Sequence, residues 1–94
     1  MAAVRRRVVV HGRVQGVGFR ATLARAARSR GVAGWTRNRP DGTLEAVLEG
    51  ERDAVGSLVR LCEAGPRGAG VTQVEVAEEP PEALEGFDIR TGPA

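Results

Sequence analysis

Ninety-four residues, 41% of them hydrophobic, suffice for one small domain with its own core and exclude a second lobe. One cysteine rules out an internal disulfide, and one histidine beside it cannot build a zinc-like cluster. The net charge is only +2, yet residues 1 to 40 hold ten arginines and no acid while residues 41 to 94 hold four arginines and twelve acids, giving halves of +10 and −8.

Such asymmetry either pairs internally as salt bridges or leaves a local field that attracts small anions. Internal pairing is expected to dominate away from any anion site. Nucleic acid is disfavoured as a partner because aromatic platforms for bases are nearly absent: Phe19, Trp35 and Phe87 are the only ones. After Arg5-Arg6-Arg7 only three valines precede His11 and Gly12, too few for a signal peptide, and no apolar run is long enough to cross a membrane. The expectation is a cytoplasmic protein in a reducing compartment.

In chain order, Val4 to His11 alternates with Val8 and Val10 on one face, which predicts a first strand with His11 on the solvated side. Phe19, Leu23, Ala26 and Ala27 then recur at helical spacing as far as about Arg30, with Gly31 as the C-cap. Arg25 and Arg28 fall off that face and complement the negative end of the helix dipole. Val32 to Arg39 and Thr43 to Glu49 flank Pro40-Asp41-Gly42, the pattern of an antiparallel hairpin. Its second arm places Leu44, Ala46 and Leu48 on one face and mostly charged residues on the other, implying a sheet covered on one side.

Glu51 to Ala64 carries Val55, Leu58, Val59 and Cys62 on one helical stripe, so Cys62 is read as core rather than as a nucleophile. Gly65-Pro66 ends that helix, and Val71 to Ala77 is a last main strand with Val74 and Val76 inward. Phe87-Asp88-Ile89 adds a short edge strand before a loose end at Thr91 to Ala94. The order is β-α-β-β-α-β, the ferredoxin-like pattern. The predicted fold is an α/β (α+β) two-layer sandwich, one domain over residues 1–94, with an antiparallel sheet and two helices on one face.

One connection stands apart. Gly12-Arg13-Val14-Gln15-Gly16-Val17-Gly18-Phe19-Arg20 joins the valine strand directly to a helix start. The first amides of a helix lack intrahelical partners and carry about half a positive charge, and glycine lets successive N–H groups converge on one oxygen-rich group. Phosphate suits such a cradle, and the planar fork of Arg20 can meet two of its oxygens together. The glycine spacing is neither that of a Walker loop nor that of a dinucleotide fingerprint.

That stretch and Gly34-Trp35-Thr36-Arg37-Asn38-Arg39-Pro40-Asp41-Gly42 together resemble the two motifs of acylphosphatases, in the same order and at about the same distance, within a resemblance running from about Val4 to Arg90. The resemblance implies a small sandwich hydrolysing acyl phosphates to a carboxylate and inorganic phosphate, with no metal and no cofactor. It implies that Arg20 binds phosphate, that Asn38 orients the water, and that Gln15, Gly16, Val17, Gly18 and Phe19 form the phosphate loop. Thr36 departs from the family, which usually has an apolar β-branched residue there.

The chemistry is consistent with those residue types. An acyl phosphate departs as a carboxylate whose conjugate acid has a pKa of about 4, so no strong general acid is needed. Donors aimed at the equatorial oxygens suffice. A monomer is expected. Two rival readings stand beside the enzyme: a non-enzymatic ferredoxin-like module, regulatory or RNA-binding, that keeps the cradle as an anion site, and an accessory domain of a larger carbamoyl-transfer enzyme.

Overall fold

The computed structural model describes residues 3–91. Strands β1 (Val4–Arg13), β2 (Ala33–Asn38), β3 (Leu44–Gly50), β4 (Gly70–Glu79) and β5 (Phe87–Arg90) form one sheet in the order β4-β1-β3-β2-β5. Helices α1 (Phe19–Ser29) and α2 (Arg52–Ala64) pack on one face of it and share its apolar core. No described helix is long and apolar enough to cross a membrane.

The core follows the sequence periods. Val8 and Val10 of β1 and Leu44, Ala46 and Leu48 of β3 are fully buried against Phe19, Leu23 and Ala27 of α1 and Val55, Leu58 and Cys62 of α2. The face of α1 is rotated slightly from expectation: Ala24 is buried, and Ala26 only partly so. Burial pushes the Cys62 thiol up to about 12, with Glu63 adding to the shift, which keeps it protonated and inert. Helix α1 ends one residue early, with Arg30 as the C-cap and Gly31 following at φ 67°.

Three further expectations change. The sheet is antiparallel for four strands, but β5 pairs parallel with β2, because the chain crosses from the β4 edge to the opposite edge before entering it. Val76 is 45% exposed rather than inward, since β4 is an edge strand and the helical layer reaches Val74 but not Val76. Finally, the charged side of β3 is not solvated: Glu45 and Glu49 are 6% and 4% exposed.

Arginines cover that side. Glu45 accepts from Arg7 Nη1 and from Arg37 Nε at 2.7 Å. Glu79 accepts from Arg5 Nε at 2.9 Å and Arg7 Nε at 2.8 Å. Glu49 takes the amides of Glu82 and Leu84 at 2.8 and 2.7 Å and so fastens the crossover to β5. Thr36 is fully buried and donates its hydroxyl to Glu45 O at 3.1 Å, so the polar residue in an apolar slot is satisfied within the sheet. The expectation for the terminal Gly92, Pro93 and Ala94 lies outside the described residues.

Candidate active site

The end of β1 is built to release the chain into a tight loop. A bulge between His11 and Gly12 shifts the register against β4, and Gly12 sits at φ 115°. A Cβ there would stand 2.0 Å from Gly70 O, so only glycine fits. The loop then turns through Gly16 at φ 75° and Gly18 at φ 76°, with open space around both, so it is their conformation rather than crowding that favours glycine.

Gly18 is the N-cap of α1 and offers no side-chain cap, and the first turn holds no acid. Among the described residues, the main-chain N–H groups of residues 15 to 18 donate no hydrogen bond within the protein. The loop is nevertheless firmly seated. Gln15 Nε2 donates to Arg39 O at 2.8 Å and Thr43 O at 3.1 Å, tying it to the β2–β3 turn, while Val17 packs partly against the core. That turn is closed by Asp41, which accepts from the Thr43 amide at 3.0 Å and hydroxyl at 2.6 Å; the Thr43 bonds hold its carboxyl below the usual value.

Two adjoining cavities open where the loop, α1 and the ends of β2 and β5 meet. The inner one, of about 180 Å³, is lined by Val14, Gly16, Gly18, Phe19, Arg20, Ala21, Asn38 and Ile89. The outer one, of about 350 Å³, shares Arg20 and Asn38 and adds Gln15 and Arg39 on one wall and Arg90 and Thr91 on the other. Of the seven residues singled out from the sequence, six therefore line this region. Val17 does not, because its side chain turns to the core. Phe19 is the first residue of α1 and is 2% exposed, so its ring is a core anchor and only its main chain is available to a ligand.

Arg20 Nη1 donates to Arg90 O at 3.1 Å, and no carboxylate among the described residues pairs with it. Asn38 Oδ1 is buried without a hydrogen-bond partner. A buried acceptor left unpaired costs about 1 to 3 kcal/mol, and such a group in a folded protein calls for a specific explanation. The cavity therefore brings together open amides, one guanidinium and one unsatisfied carboxamide oxygen, an arrangement suited to a tetrahedral anion and a water. Sequence reasoning missed Arg90. Its contact with Arg20 spans seventy positions, and no local pattern signals it.

Fold and site define a ferredoxin-like sandwich with an anion-sized cavity at a strand-to-helix turn. The acylphosphatase family model matches residues 6–89. An acylphosphatase of Thermococcus kodakarensis is 53% identical over 89 residues, covering 95% of this chain and 98% of the relative. One from Anaeromyxobacter dehalogenans is 57% identical over 88 residues, covering 93% and 95%. The crystal structure of acylphosphatase from Bacillus subtilis superposes with a TM-score of 0.90 at 38% identity, covering 94% of this chain and 99% of that one. The chain belongs to the acylphosphatase family and is an enzyme acting on acid anhydrides.

Proposed function

We propose that the enzyme hydrolyses acyl phosphates to a carboxylate and inorganic phosphate with the phosphoryl group in the inner cavity. The open amides of the loop from Gln15 to Phe19 and the fork of Arg20 bind the nonbridging oxygens, whose negative charge they neutralise as the transition state loosens. Asn38 Oδ1 accepts a hydrogen bond from the water and aims it at phosphorus opposite the acyl oxygen. As the water oxygen bonds to phosphorus, the bond from phosphorus to the acyl oxygen breaks and its electron pair leaves with the carboxylate. The water's protons pass to the phosphate product and solvent.

The unpartnered, buried Asn38 Oδ1 beside Arg20 is the observation that carries this reading. The lining chemistry supports it. The inner wall offers no carboxylic acid, imidazole or thiol among its residues, and a carboxylate leaving group needs no acid. A non-enzymatic anion-binding or RNA-binding module has no comparable support. We read the chain as a single-domain monomer of the cytoplasm. The test is turnover of an aryl acyl phosphate in metal-free buffer by wild type, Arg20→Ala and Asn38→Ala. Wild-type turnover lost in both variants is expected; undiminished turnover in either would remove that residue from the mechanism.

A further inference from the structure

The position of Arg20 depends on an element with little hold on the sheet. Its described hydrogen bond goes to Arg90 O, the last carbonyl of β5. That strand has four residues and, among the described residues, pairs only with β2. Its start is secured: Phe87 is 3% exposed, and Phe87 O accepts from Arg28 Nε and Nη2 at 3.1 and 2.8 Å. Its end is secured differently. The Arg90 guanidinium lies 4.2 Å from the centroid of the Trp35 ring, nearer than Arg7 at 5.7 Å or Arg37 at 5.9 Å. Stacking at this distance combines cation–π attraction with exclusion of water from the ring face. Arg90 is itself exposed and forms no ion pair among the described residues, so the ring is its evident anchor.

We propose that Trp35 and Arg90 are positioning residues for the reaction: the stack fixes the end of β5, and the Arg90 carbonyl holds the Arg20 guanidinium at the cavity. One Nη1 proton spent on Arg90 O leaves the Nη2 and Nε edges free for two phosphate oxygens, and it removes rotamers that an unheld arginine would lose on binding. The path runs from the face of the sheet opposite the helices, through the ring and the strand end, to the cavity on the other side. Trp35 touches no substrate in this scheme.

The inference rests on Arg20 as the phosphate ligand, and the two fail differently. Full turnover by Arg20→Ala removes the ligand assignment, whatever Trp35 does. The test of the stack is a double-mutant cycle read by titration with inorganic phosphate, using wild type, Arg90→Ala, Arg20→Ala and the pair. Arg90→Ala keeps the carbonyl and loses the stack. It is expected to weaken phosphate binding about threefold and to lower kcat/KM about tenfold in wild type, a loss of order one charged hydrogen bond or less, and to have no effect on phosphate binding in the Arg20→Ala background. Equal weakening in both backgrounds would mean that Arg90 acts only through its charge, and the proposal falls. Trp35→Leu, which leaves every charge in place, should reproduce the loss, and Trp35→Phe should restore most of it. Wild-type kcat/KM in a folded Trp35→Leu protein would equally overturn it, and Arg90→Ala decides the matter alone if that variant does not fold.

Discussion

The two helices begin in opposite ways. At α2 the Glu51 side chain accepts from the amides of Asp53 at 3.2 Å and Ala54 at 3.4 Å, and Asp53 adds a second negative charge in the first turn. At α1 there is a left-handed Gly18 with no side chain to give, no acid in the first turn, and Arg20 as the second helical residue. Both ends have the same unpaired amides and the same positive dipole end. One is neutralised by the chain's own carboxylates, whereas the other is left for an anion from solution. A capped terminus serves stability, and an uncapped one beside an arginine serves binding.

The outer face of the sheet sharpens this contrast. Arg5, Arg7 and Arg37 all meet carboxylates there, which absorbs much of the basic half's charge. Arg20 is excluded from that network, so its charge is free for a ligand.

The largest expected effect comes from breaking the open end without changing its charge. Arg20→Lys retains the cation but loses the two-pronged geometry, and two charge-assisted hydrogen bonds at about 1.5 to 3 kcal/mol each correspond to roughly two to four orders of magnitude in rate. Steady-state kinetics on an acyl phosphate should show kcat/KM down by about that factor, with the unfolding midpoint unchanged. Near-parental turnover would contradict the bidentate model. Asn38→Ala comes next. It should lower kcat by about a hundredfold while titration shows inorganic phosphate bound as tightly as in wild type, since Asn38 is assigned to the water rather than to the cradle. Parallel loss of phosphate affinity would instead make Asn38 a support for the loop.

A smaller effect belongs to the closed network. Burial pushes the Glu45 carboxyl up, but hydrogen bonds from Arg37 and Arg7 hold it below its usual 4.5. Glu79 is lowered likewise by Arg7 and Arg5. A folded pKa below the unfolded one means that this stability is fully present above about pH 4.5 and is lost as pH falls through the folded values. Urea unfolding should therefore be flat from pH 7 to 5 and weaken below. Glu45→Gln should cost about 2 kcal/mol at pH 7, reduced from the cost of breaking a fully buried pair because both arginines are partly solvated. It should also flatten the acid limb and leave kcat close to wild type.

Much of this architecture could be read from local pattern. The valine alternation of β1, the two helical stripes and the glycine turn are short-range signals, and Arg20 and Asn38 lay in two recognisable motifs. What escaped was long-range. Glu45 and Glu49 alternate with apolar residues as solvated positions do, and only the fold brings Arg7, 38 positions away, onto Glu45. The parallel pairing of β5 depends on which sheet edge the crossover reaches, and four residues carry no signal for that. The bond from Gln15 to Arg39 O, across 24 positions, joins the two motifs in space although nothing in either announces it.

The smallest effect tests the comparison from its capped side. Glu51→Ala removes the side-chain acceptor at α2 and should cost about 1 kcal/mol of stability, the usual scale for loss of a helix cap, with no change in kcat or in phosphate affinity. The reason is positional: α2 packs against β1, β3, β4 and α1, and none of its residues lines either cavity. Denaturant unfolding and acyl phosphate kinetics on the same preparation separate the two quantities. If losing this cap lowered turnover at matched stability, the two helix ends would be coupled, and the division between a terminus for folding and a terminus for binding would fail.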